Sequence, residues 1–62
     1  MDPQVRSFWN DMLDSGRGVI TKQDDDVHHV IVYDKASCEI LARGISRKSL
    51  KDAFEPVIRC LK

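Results

Sequence analysis

At 62 residues, 42% hydrophobic and 32% charged, the chain suffices for one domain, 1–62, and excludes a second; a domain this small buries only about 60% of its unfolded surface. Ten basic residues balance ten acidic ones, so net charge alone selects no partner, and the apolar content excludes a disordered polyelectrolyte. No apolar run approaches the roughly 18 residues of a membrane span, and Met1-Asp2-Pro3-Gln4 lacks the basic and apolar regions of a signal peptide, so a cytoplasmic protein with no membrane partner is expected.

Asp2 before Pro3 marks a helix start, because aspartate caps free backbone N–H groups and proline is tolerated at the first helical position. The helix is predicted to run to about Leu13, with Val5, Phe8, Trp9, Met12 and Leu13 at i, i+3, i+4, i+7 and i+8 forming one core-facing stripe. Asp14-Ser15-Gly16-Arg17-Gly18 ends it, since glycine takes the left-handed conformation that helix termini need.

Val19-Ile20-Thr21-Lys22 reads as a first strand, Asp24-Asp25-Asp26 as a tight connection, and Val27 to Tyr33 as a second strand rich in β-branched residues. In that second strand Val30 and Val32 compete with Ile31 and Tyr33 for the core, and register decides between them. Asp34-Lys35-Ala36-Ser37 is the next turn. A third strand, Cys38 to Arg43, alternates Cys38, Ile40 and Ala42 on one face with Glu39, Leu41 and Arg43 on the other, and Gly44 is expected to break it.

Ser46 is expected to cap a second helix in which Leu50, Ala53, Phe54, Val57, Ile58 and Leu61 form a single apolar stripe. Pro56 removes an intrahelical hydrogen bond and crowds the preceding turn, so a kink or restart near Phe54 is expected. The short connections predict an α+β domain of order α-β-β-β-α: a three-stranded antiparallel meander with both helices packed on one face and the other face open.

The neutral total conceals an asymmetry. Residues 1–42 hold four basic and eight acidic residues, a net −4, whereas residues 43–62 hold six basic and two acidic, a net +4. Within the basic third, Ser46-Arg47-Lys48-Ser49-Leu50-Lys51 would open the second helix with three cations and two hydroxyls. Cations oppose the dipole there, but free N–H groups and basic side chains together suit phosphate oxygens. Arg43, Ser46, Arg47, Lys48 and Lys51 are the candidate nucleic-acid contacts.

His28 and His29 are the two histidines, set between Asp24-Asp25-Asp26 and the run Val30-Ile31-Val32-Tyr33. An imidazole, with an unperturbed pKa of roughly 6.5, both takes and gives a proton near neutrality. Adjacent strand residues point to opposite faces, so the pair cannot ligate one metal. The aspartate run lacks the alternating acidic positions and glycine of a calcium loop, and neither a metal nor a cofactor is expected. Cys38 and Cys60 lack CxxC spacing and read as reduced thiols acting as small buried hydrophobes.

The element order, the length and the placement of Gly18-Val19, Val27-His28-His29 and Lys48-Ser49-Leu50-Lys51 resemble the HicA family of toxin-antitoxin ribonucleases, which have a double-stranded-RNA-binding-domain fold. Where that family carries basic and glycine residues before the histidine, this chain carries Asp24-Asp25-Asp26. The resemblance implies an endoribonuclease that needs no metal, with RNA as substrate and an antitoxin as protein partner. It makes His28 the catalytic histidine, moving the 2′-hydroxyl proton while Arg47, Lys48 or Lys51 steadies charge on the phosphate. The residues themselves also allow a different class of protein: a non-enzymatic interaction module or small inhibitor whose contact surface is Asp24, Asp25 and Asp26 together with the open sheet face.

Overall fold

The computed structural model describes residues 2–61. Helix α1 spans Pro3–Asp14, strands β1, β2 and β3 span Arg17–Asp24, Val27–Asp34 and Ile40–Ser46, and helix α2 spans Leu50–Leu61. The strands form one antiparallel sheet in the order β1-β2-β3. Both helices pack on the same face, α1 over β1 and α2 over β2 and β3, so the expected α-β-β-β-α arrangement with one open face is the one observed.

Each helix start has a local cause. The Asp2 side chain accepts from the Gln4 N–H (2.9 Å), and Pro3 occupies the first helical position. At the other end Gly16 takes φ +79° and its N–H donates to the Leu13 carbonyl, which closes the helix in the left-handed manner glycine permits. Helix α2 begins three residues later than Ser46 would place it. Ser49 is the cap, its hydroxyl accepting from the Asp52 N–H (3.1 Å), so Arg47 and Lys48 precede the helix and Lys51 alone of the three cations lies within it.

The core is one cluster. Val5, Phe8 and Met12 from α1 meet Val30, Val32 and Ala42 from the sheet and Ala53, Phe54, Val57 and Ile58 from α2. Phe54 is its hub: fully buried, it meets Phe8 edge-on at 6.2 Å and Trp9 at 5.8 Å, spacings at which aromatic pairs attract beyond simple burial. Leu13, at the end of the α1 stripe, is 43% exposed and lies outside this cluster.

Several expectations change. Both outer strands are longer than predicted, β1 by two residues at each end, and β3 starts at Ile40 and runs through Gly44 to Ser46. Gly44 does not break the strand: it pairs with Val30, and a methyl group on it would overlap the Ala53 carbonyl oxygen of α2. Its glycine serves close helix-to-sheet approach. A bulge between Val32 and Tyr33 pairs Val32 with Ala42 but Tyr33 with Ile40, so Ile40 and Ala42 face opposite sides instead of sharing one. Helix α2 continues through Pro56 without restarting near Phe54. Cys38 and Cys60 are free but exposed, not buried; Cys38 sits in the β2–β3 turn with φ 61°, and Cys60 lies outside the α2 stripe.

Candidate functional site

The register sorts the strand residues onto two faces, and this decides what each candidate can do. Val30 and Val32 are fully buried under the helices. By alternation His28, in the same strand, lies on their side, while His29, Ile31 and Tyr33 lie on the open side. The cross-strand partners follow: Gln23 and Ser46 flank His28, and Lys22 and Ile45 flank His29.

His28 therefore stands at the end of the helix-covered face, half-buried. Directly across from it, the Ser46 hydroxyl donates to the Asp52 carboxylate (2.7 Å) and accepts from the Lys48 N–H (3.0 Å). The single hydroxyl proton is thus committed to Asp52, and Ser46, only 8% exposed, acts as a pin between the end of β3 and the start of α2. Arg47 and Lys48 follow it on the surface.

The other predicted contacts are dispersed. Arg43 pairs with Ile31 in the register and so belongs to the open face, on the opposite side from His28. Lys51 forms an ion pair with Asp2 (3.2 Å) that ties the start of α2 to the start of α1. The Asp2 carboxyl is held below its ordinary range, first by the Gln4 N–H and then by Lys51. Asp24 ends β1 on the open-face side opposite Val27, while Asp25 and Asp26 form the β1–β2 turn, with Asp25 at φ 55°. Aspartate is among the few residues other than glycine that take this conformation readily. The acidic turn lies at the same end of the sheet as His28, Arg47 and Lys48. Among the described residues no three His, Cys, Asp or Glu side chains gather into a metal-binding group, and no helix is long and apolar enough to cross a membrane.

The open face was expected as a possible contact surface, but of its residues only Arg43 and Asp24 were named as contacts from the sequence. Its rows across β1, β2 and β3 are Gly18-Tyr33-Ile40, Ile20-Ile31-Arg43 and Lys22-His29-Ile45. Ile20, Ile40 and Ile45 are 48%, 59% and 63% exposed. Ile20, Ile31, Tyr33 and Ile40, with Cys38 at the rim, line a shallow apolar depression, and the Tyr33 ring lies over Gly18, where a methyl would collide with it. The signal was present in β2: Val30-Ile31-Val32-Tyr33 is apolar on both faces, the pattern of a strand covered on both sides.

No family model matches the chain, and neither a curated protein nor a solved structure does.

Proposed function

We propose that this protein is a non-enzymatic interaction module that docks a partner protein on its open sheet face. The observation that carries the reading is the two-sided apolar character of β2: the helices bury Val30 and Val32, while Ile31 and Tyr33, flanked by exposed Ile20, Ile40 and Ile45, lie on the face that neither helix covers. An apolar patch of this kind on a small protein marks a binding surface. The acidic turn Asp24-Asp25-Asp26 borders that face through Asp24. The two exposed thiols suit a reducing, cytoplasmic setting.

Site-specific photo-crosslinking in the host cell tests it. A photoreactive side chain in place of Ile45 is expected to form a discrete protein adduct, and one in place of Arg59, on the exposed side of α2, is not. Equal labelling from both positions, or none from position 45, refutes the docking face.

One observation favours a second reading, an RNA-directed protein resembling the HicA ribonucleases: His28 faces Ser46, and exposed Arg47 and Lys48 follow directly, so a proton-transfer group and two cations share one end of the sheet. The acidic turn at that end opposes a phosphate backbone, which is why this reading ranks second. Here His28→Ala abolishes RNA cleavage or growth arrest and His29→Ala does not; activity that survives His28→Ala removes the reading.

A further inference from the structure

We infer that the open face takes one acidic amphipathic helix from a partner protein; this rests on the docking reading and adds the chemistry of the occupant. The first argument is size. Two strand spacings separate β1 from β3, about 10 Å, and the rows from Asp24 to Gly18 extend about 20 Å along β1. A strip of these dimensions is narrow for a standard protein interface or stable dimer, to which each partner contributes roughly 800 Å² of accessible surface. It matches a single helix, about 10 Å across, of three to four turns.

The second argument is charge. Lys22 on β1 and Arg43 on β3 stand on opposite outer strands, in neighbouring rows, with His29, Ile31 and Ile45 between or beside them. Asp24 is the acidic residue on these strands that shares the face, and it lies at the border. A helix whose apolar stripe rests on Ile20, Ile31 and Ile45 therefore brings its two flanks over Lys22 and Arg43, and carboxylates on those flanks complete the contact. Such pairs select the partner more than they tighten the complex. Single-stranded RNA fits less well, because base stacking needs aromatic platforms and this face offers, beside four isoleucines, only the His29 imidazole and one tyrosine already lying over Gly18.

Two synthetic helical peptides of about four turns test the inference. Both carry a leucine stripe at i, i+3, i+4 and i+7; one has glutamates and the other lysines on its flanks. Titrated into the protein and followed by amide NMR shifts, the glutamate peptide should move Lys22, Ile31, Arg43 and Ile45 and bind about ten-fold more tightly than the lysine peptide. Lys22→Glu with Arg43→Glu should reverse the order of the two peptides. Both residues are exposed, and an unchanged thermal midpoint shows that the variant folds. Equal binding of the peptides, no reversal in the variant, or shifts confined to the helix side overturns the inference, as does an oligouridine that moves the same signals more strongly. If neither peptide binds while the Ile45 crosslink persists, the helix is wrong and the docking face stands; if the crosslink is also lost, both fall.

Discussion

Gly44 and Gly18 each forbid a methyl group for opposite reasons, and the contrast predicts two different costs. At Gly44 the obstacle is the α2 backbone at Ala53, with Val57 Cγ2 at 2.9 Å from the added carbon, so Gly44→Ala must push a whole helix off the sheet. A destabilisation of about 3 kcal/mol is expected, at the upper end for overpacking, and urea unfolding will read it. At Gly18 the nearest obstacles all belong to the Tyr33 side chain, on a half-open face where it can swing aside. Gly18→Ala should cost less than half as much. Asp2 offers a pH test at the same scale. Its carboxyl is held low by the Gln4 N–H and Lys51, so its contribution is complete above the ordinary aspartate pKa and is lost as pH falls through the folded value, below about pH 4. Asp2→Asn keeps a good cap but loses the ion pair. The variant should therefore melt below the parent at pH 7, with the gap closing under acid. The cap was legible in Asp2-Pro3 because its cause lies within four residues. The role of Gly44 was not, because the atom it makes room for belongs to an element nine residues on.

At the scale of elements, the apolar stripes of both helices and the three strands were readable from periodicity, since burial on one side imposes it. Boundaries and register were not. Two serines compete to start α2, and Ser49 wins because Ser46 is held by Asp52; the Val32/Tyr33 bulge turned Ile40 outward with no trace in the alternation of β3. The restart expected near Phe54 does not occur, and the helix runs on through Pro56. The residue is exposed, so the helix can pass through it while the stripe of Phe54, Val57 and Ile58 stays buried. The missing N–H still leaves the Asp52 carbonyl without its helical donor, so Pro56→Ala should stabilise the protein by about 1–3 kcal/mol. An unchanged or lowered unfolding midpoint contradicts this. The β2–β3 turn carries a smaller strain: Cys38 holds φ 61° although a side chain there costs roughly 1–2 kcal/mol. The Asp34 carboxylate offsets it by accepting from the Ala36 (2.8 Å) and Ser37 (3.4 Å) N–H groups.

For the molecule as a whole, the sheet divides stability from recognition by face. The buried apolar core lies between the sheet and the two helices, around Phe54, whereas the isoleucines of the other face remain about half exposed or more at Ile20, Ile40 and Ile45. A 62-residue domain has a total stability of only about 3–9 kcal/mol, and Phe54→Ala removes about 3–5 kcal/mol of it, enough to leave a large unfolded fraction at room temperature. Ile45→Thr keeps a β-branched residue in β3 and gives up little buried surface, so it should shift stability by no more than about 0.5 kcal/mol. The same substitution should reduce photo-crosslinking from a probe placed at Ile20, which lies on the same face but on the opposite outer strand. Circular dichroism and crosslinking together separate the two faces. A large loss of stability on Ile45→Thr means that the open face belongs to the folding core after all, and its apolar surface then needs no partner to explain it.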